Sequence, residues 1–193
     1  NGCSGGQPSS ANHWFVSTGV VTGGDYGETT NGCLSYVCPP CSKGLYPPDC
    51  PTDQCNSQLT CTKACGNPSY ARSYSDDKAK ASSAFSVDSV ADMQQALMTG
   101  GPLAAAFTVY GDFPTYFSGV YTHTTGDVLG GHAIVILGWG TENGQDFWLC
   151  KNSWSAKWGD GGFFKIARGK DECGIESDVS GTMHGSAAAL LVV

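Results

Sequence analysis

The sequence is short of cations: ten Lys and Arg stand against seventeen Asp and Glu, a formal net charge of −7. Phosphate backbones are held by clustered Lys and Arg, and no basic run occurs here, so a nucleic-acid surface is excluded. The acidic balance says little more, beyond suiting an acidic compartment or cationic substrates. Long apolar runs are lacking too. The longest, Ala187–Val193 and Ala133–Leu137, fall far below the roughly 20 residues of a membrane-spanning helix, so no membrane partner is expected. Neither a starting Met nor a charged segment followed by an apolar one is present, so the chain is expected to carry no signal peptide. If the protein is secreted, its beginning is expected upstream of Asn1. No internal repeat occurs, and only 14% of residues are charged against 40% hydrophobic, which excludes disorder; 193 residues suffice for one domain or two small lobes.

What is abundant is Gly and Cys. The 27 Gly and nine Pro predict a turn-rich chain. Ten Cys are present, seven of them in one stretch: Cys33, Cys38, Cys41, Cys50, Cys55, Cys61 and Cys65. That density implies an oxidising compartment, lysosomal, vacuolar or extracellular. Zinc is the competing explanation, because Cys38-x-x-Cys41 and Cys61-x-x-x-Cys65 have ligand-like spacing. The stretch contains no His and is stiffened by Pro39, Pro40, Pro47, Pro48 and Pro51, which suits a stapled loop better than a metal finger.

Periodicity divides the chain. From Pro8, Ser-Ser-Ala-Asn-His-Trp-Phe-Val predicts a short helix with Trp14 and Phe15 against a core. Polar Ser73–Ser83 reads as a linker and places a lobe boundary there. Val87, Val90, Met93 and Leu97 recur at helical spacing, Ser89-x-x-Asp92 offers a capping box, and Gly100-Gly101-Pro102 stops the helix. Short apolar runs follow: Leu103–Tyr110, His132–Trp139, Phe147–Asn152 and Phe163–Arg168 predict strands, the second and third joined by a hairpin at Asn143-Gly144. The expectation is an α+β, two-lobed protein: residues 1–80, with a Cys-rich insertion at about 33–65; a β-rich lobe over 81–185; and a tail over 186–193.

Of four His, His132 stands apart, behind Gly130-Gly131 and at the mouth of Ala133-Ile134-Val135-Ile136-Leu137. Taken alone it could be an ordinary strand-edge His. The segment Trp148-Leu149-Cys150-Lys151-Asn152-Ser153-Trp154, with Trp158-Gly159 beyond, changes that reading. Hairpin pairing would return Asn152 beside His132, where its side-chain oxygen can accept from one ring nitrogen while Trp154 and Trp158 exclude water. A base held by an orienting group is the arrangement that activates a nucleophile.

Gly130-Gly131-His132-Ala133, Gly138-Trp139-Gly140 and Lys151-Asn152-Ser153-Trp154-x-x-x-Trp158-Gly159-x-x-Gly162-Phe163-Phe164 resemble the His and Asn signatures of the papain family of cysteine peptidases. Asn1-Gly2-Cys3-Ser4-Gly5-Gly6 resembles that family's Cys-x-Gly-Gly stretch. The Cys-dense insertion, Gly119-Val120-Tyr121-x-His123 and Asp171-Glu172-Cys173-Gly174-Ile175-Glu176-Ser177 point to the cathepsin B branch. The resemblance runs from Cys3 to about Gly181. It implies a papain-like fold of a helical, disulfide-rich lobe and a β-barrel-like lobe, and a Cys-His-Asn site in which His132 and Asn152 are catalytic. No cofactor or metal is implied.

One departure outweighs the agreements. The family's nucleophile lies in a Cys-Gly-Ser-Cys-Trp-type segment after an oxyanion-hole Gln, and neither occurs here. Cys3 falls near the family interval to His132 but is followed by Gly-Gly, so the nucleophile is expected upstream of residue 1. Gly2-Cys3-Ser4-Gly5-Gly6 formally satisfies a Gly-x-Ser-x-Gly elbow, yet that motif needs a preceding strand, which excludes a serine hydrolase. The resemblance also implies substrate contacts at Gly5, Gly6, Gly131 and Trp154, and a pocket for the second residue before the scissile bond formed by Pro8, Ala106, Ala133 and Asp178. Asp178 stands where cathepsin B has a Glu that accepts Arg. In cathepsin B a His pair on the occluding loop gives dipeptide release; Ser42–Asp49 contains no His, which implies endopeptidase action. By resemblance Cys33–Cys65 and Cys41–Cys50 are disulfides, with Cys38–Cys55 an added one; Cys3 and Cys61 pair with a missing N-terminal segment or light chain, and Cys150 and Cys173 are free. Peptide and protein substrates, and cystatin-type inhibitors, are the partners implied. The rival reading is an inactive fragment or a secreted, disulfide-rich peptide-binding relative.

Overall fold

The computed structural model describes residues 5–28, 31–38 and 62–184. They fall into two compact units, each taken by itself: unit 1 holds the described parts of 1–7, 13–82 and 184–193, and unit 2 holds 8–12 and 83–183. Helix α1 (Pro8–Ser17) begins with Pro in its first turn, as expected from a residue with no N–H to leave unpaired.

The described residues of unit 1 hold little regular structure. Strands β1 (Gly23–Gly24) and β2 (Leu34–Ser35) form a two-residue parallel pair. Cys33 is fully buried and bonded to Cys65 across 32 residues. Cys38 is also disulfide-bonded; the expected Cys38–Cys55 and Cys41–Cys50 bridges, and Cys3 and Cys61, lie outside the described residues. The other anchor is Asp77, 3% exposed, which accepts from the Thr22 backbone N–H and hydroxyl, both at 2.7 Å, and from the Tyr70 hydroxyl at 2.6 Å. Burial alone would raise its pKa; those hydrogen bonds and the Arg72 charge outweigh burial and hold it below the ordinary carboxylate value.

Unit 2 is a seven-stranded sheet in the order β3 (Ser83–Val87), β9 (Asp178–Met183), β4 (Leu103–Tyr110), β6 (Val128–Glu142), β7 (Gln145–Lys151), β8 (Phe163–Ala167) and β5 (Val120–Tyr121). All neighbours are antiparallel except β5 and β8. Along β4 the residues alternate: Leu103, Ala105, Phe107 and Val109 are buried and face Ile136, Ile134, His132 and Gly130 on β6. Helix α2 (Val90–Gly100) packs Met93 and Ala96 inward. Ser89 caps it, its hydroxyl accepting from the Asp92 N–H at 3.1 Å and donating to the Asp92 carboxylate at 2.7 Å. A 3-10 turn at Phe113–Thr115 buries Phe113 completely against Phe107, Tyr121, Trp154, Trp158 and Phe164, with ring centroids 5.0–5.5 Å away.

Several expectations are corrected. Trp14 is 59% exposed, because the half-buried face of α1 runs through Asn12, Phe15 and Val16 and Trp14 falls one residue off it. Val87 ends β3 instead of belonging to the helical series. The Ser73–Ser83 stretch is no loose linker: Asp77 is buried within it and Ser83 opens β3. β6 extends both ways beyond His132–Trp139, and β7 stops one residue short of Asn152. Strands β3, β5 and β9 carry too little apolar alternation to stand out in the sequence.

Candidate active site

His132 lies on the buried face of β6, opposite Phe107, in the row that continues through Ile134 and Ile136. It is aimed by an irregularity immediately before it. The β4–β6 register shifts between Val109 and Tyr110, leaving Leu129 as an extra residue, and Gly130 takes φ +141°, a conformation open to glycine. Gly130 is therefore a backbone requirement of this corner.

A second bulge brings Asn152 to the same face. The turn at Asn143-Gly144, with φ of 51° and 79°, pairs Glu142 with Gln145 and Gly138 with Leu149; past Leu137 the register slips by one, pairing Ile136 with Cys150 and Val135 with Lys151. Extending that register by one residue sets Asn152 beside Ile134, on His132's side. Were Leu137 itself paired with Cys150, Asn152 would align with Val135 and His132 would stand on the opposite face from it.

His132 Nε2 lies 2.8 Å from Asn152 Oδ1. The same oxygen accepts from the Ser153 backbone N–H at 2.8 Å, and since a backbone N–H only donates, the amide orientation is fixed. Nε2 of His132 must then be the donor, which leaves Nδ1 as the nitrogen that takes up or gives a proton. The Trp154 ring lies 5.0 Å from the imidazole at 30°, and Trp158, 3% exposed, braces Trp154 and donates from its indole to Pro114 O at 2.9 Å. Asn152 is 7% exposed, and its Nδ2 is buried with no partner among the described residues.

The sheet register also brings together three of the four expected pocket residues: Ala106 pairs with Ala133 on one side and Asp178 on the other, so all three side chains share the face opposite to His132. Pro8 opens α1. Gly5 and Gly6 belong to unit 1, where a Cβ at either would meet nothing within 4 Å. Neither free thiol resembles a nucleophile. Cys150 is fully buried, which pushes its thiol far up. Burial and the neighbouring Glu172 carboxylate raise Cys173 to about 12. No group of His, Cys, Asp and Glu that could hold a metal occurs among the described residues.

Two supports were missed in the sequence. Phe113 is one, marked only by a Pro after it. The other is Asp112, which accepts from Tyr121 OH at 2.6 Å, His123 Nδ1 at 3.1 Å and the Thr124 and Thr125 N–H groups at 2.8 and 3.1 Å. Burial would raise this carboxyl; the hydrogen bonds outweigh it and hold Asp112 far below the ordinary range. Tyr110 stacks on His123 at 3.8 Å and closes the group.

The profile of the papain family cysteine protease matches residues 1–183. A gut-specific cysteine proteinase of Caenorhabditis elegans is 49% identical over 180 residues, covering 93% of this chain and 52% of that protein. Cathepsin B-like cysteine proteinase 4 of the same organism is 46% identical, covering 93% and 54%. Among solved structures, procathepsin B S9 of Trypanosoma congolense matches with a TM-score of 0.71 at 29% identity, over 95% of this chain and 55% of that one. Procathepsin L2 from the larval midgut of Tenebrio molitor matches with a TM-score of 0.60 at 29% identity, over 94% and 48%. The chain thus spans about half the length of the curated relatives it matches, and its α+β fold is papain-like. With its sequence matched from residue 1 to 183 and its fold similar to those of two procathepsins, the chain belongs to the papain family of cysteine proteases, among cathepsin B-like relatives.

Proposed function

We propose that this chain is the His- and Asn-bearing portion of a cathepsin B-like cysteine endopeptidase whose nucleophilic Cys lies upstream of residue 1. The observation that carries the reading is the 2.8 Å bond from His132 Nε2 to Asn152 Oδ1, which leaves Nδ1 to face a thiol. Proton transfer from that thiol to Nδ1 gives a thiolate–imidazolium pair. The thiolate attacks the peptide carbonyl, and Nδ1–H returns its proton to the leaving amine as the C–N bond breaks, leaving a thioester. Water, deprotonated by the same nitrogen, then releases the acid. Asn152 holds the ring in one tautomer throughout. Val135 and Leu137, each 37% exposed on β6, are apolar surface that an upstream segment would cover, which also supports the reading.

Peptides and proteins are the substrates of this reading, with Gly5, Gly6, Gly131 and Trp154 along the backbone path and Ala106, Ala133 and Asp178, with Pro8, around the side chain two residues before the cut. Asp178 keeps the charge that attracts Arg on a shorter stem. A Ser42–Asp49 segment without His favours internal cleavage over dipeptide release. A propeptide and cystatin-type inhibitors are the protein partners, and a lysosomal or extracellular site suits the disulfides.

The test is the intact mass of the natural protein, non-reduced and then reduced, followed by labelling with a thiol-directed peptide epoxide. The expected result is a species longer than this chain, labelled once in the added part and cleaving internal peptide bonds. A single species of this length that binds peptides and cuts nothing replaces the peptidase with a binding relative. Equal cutting of Arg and Phe substrates by Asp178→Ala and its parent removes the role of Asp178, and efficient dipeptide release removes the endopeptidase assignment.

A further inference from the structure

The first turn of α1, Pro8–Asn12, belongs to unit 2 with the sheet. A hydrogen bond ties it there: Asn12 Nδ2 donates to Ser180 Oγ at 2.9 Å, across 168 residues of sequence. Ser180 is buried although its neighbours across the sheet are not, Ser86 on β3 being exposed and Ala104 on β4 half-buried. Its cover therefore comes from off the sheet, where Asn12 reaches it. The strand beneath is held from its other face: Val179 is buried, and a Cβ at Gly181 would lie 2.7 Å from the Phe85 ring and 2.9 Å from the Leu103 side chain. The bond joins two elements of one unit through a buried hydroxyl, so it asks for no free surface in the complete protein.

We propose that Asn12 is a positioning residue for substrate selection: its bond to Ser180 clamps the first turn of α1 onto β9 and so sets the spacing of Pro8 from Asp178 across the pocket for the second residue before the cut. Side chains four apart share a helix face, so the side of α1 that Asn12 turns to β9 is also the side that carries Pro8. Side chains two apart share a strand face, so Ser180 and Asp178 point the same way, beside Ala104 and Ala106. The two intervals match, since four residues of helix rise about 6 Å and two residues of strand about 6.7 Å. Ala106 and Ala133, next to Asp178 in the sheet, are too short to set that spacing themselves. The inference rests on the peptidase reading and adds to it an amide that touches neither substrate nor the reacting atoms. A Phe side chain depends on the wall at Pro8, whereas Arg also has the Asp178 charge, so losing the clamp costs Phe more than Arg and costs Gly nothing.

The test uses the complete enzyme, with rates expressed per thiol labelled by the peptide epoxide. Blocked dipeptide coumarin amides that carry Phe, Arg or Gly before a common Arg are compared. Asn12→Leu and Ser180→Ala should each raise KM for the Phe substrate about fivefold, as loss of an ordinary hydrogen bond allows, raise it less for the Arg substrate, and leave kcat and the Gly substrate unchanged. The double variant should lose no more than the larger of the two single losses. Selectivity among the three substrates that is unchanged in both variants overturns the proposal and leaves the peptidase reading standing. So does an equal loss on all three, which makes the bond a support of the fold alone. A parent with no labelled thiol, or one that cuts none of the three, overturns the peptidase reading and the clamp with it.

Discussion

The two compact units solve the same problem by opposite means. Unit 2 is held by ladders: seven strands, an alternating buried row along β4, and a cluster of rings around Phe113. Among its described residues unit 1 has one two-residue strand pair, and these are held by the Cys33–Cys65 bond and the buried Asp77. The contrast teaches where precision comes from. A ladder fixes side chains to a register, so one extra residue on β6 decides which of its side chains share a face with Asn152. A staple and a polar hub fix the path of a chain without fixing a register, which suits a loop-rich segment.

The largest expected effects come from removing the two side chains that the register brings together. In the complete enzyme, His132→Ala should lower kcat/KM by about 10²–10⁴-fold, the usual contribution of a general acid–base group. Asn152→Ala, which takes the acceptor from Nε2 of His132, should lower it by a smaller factor, and the double variant should lose no more than His132→Ala alone. Losses that multiply in the double variant would show that Asn152 acts independently of His132. Next comes the packing of the same unit. Phe113→Ala should cost about 3–5 kcal/mol, read as a shift in the urea midpoint, because a fully buried ring leaves a cavity among rings that cannot close over it. A loss below about 1 kcal/mol would mean the cluster rearranges freely.

In unit 1 the staple is the comparable element. Replacing Cys33 and Cys65 by Ser should cost about 3 kcal/mol, since the bond closes a loop of 32 residues that the unfolded chain would otherwise explore. Amide exchange is the sharper measurement: residues 20–36 and 66–80 should exchange faster, while the β4, β6 and β7 amides keep their protection. Uniform acceleration through the sheet would mean the two units unfold as one.

The same contrast explains what could be read in advance. Strand β4, the hairpin at Asn143-Gly144 and the Ser89 cap are written in local spacing, and they appear where the sequence puts them. The two bulges of β6 are not, because a bulge exists only as a difference between two strands. Their trace was Gly130 and the unequal spacing of Trp139 and Ile136 on one face. Strands β3 and β9 are short and polar, Ser-Ala-Phe-Ser-Val and Asp-Val-Ser-Gly-Thr-Met, and become strands through pairing with each other and with β4. Asp77 and Asp112 look like surface carboxylates in sequence; their hydrogen-bond partners are what make them structural. Trp14 failed in the reverse sense, since hydrophobicity alone does not choose a helix face.

The smallest effect compares those two carboxylates directly. Both are held below the ordinary carboxylate value, Asp112 the further of the two. A carboxyl whose folded value is depressed adds stability that is fully present above its unfolded value, about 3.9, and is lost as pH falls from there towards the folded value. Both hubs should therefore remain intact in a mildly acidic compartment and weaken only in stronger acid. Urea midpoints measured from pH 5 downwards should fall in the parent, and the fall below about pH 4 should be shallower in Asp112→Asn and, to a lesser degree, in Asp77→Asn. Parallel slopes in all three proteins would mean that neither carboxylate is linked to folding. A larger flattening in Asp77→Asn than in Asp112→Asn would reverse the ranking and make the hub of the stapled unit the more acid-sensitive one.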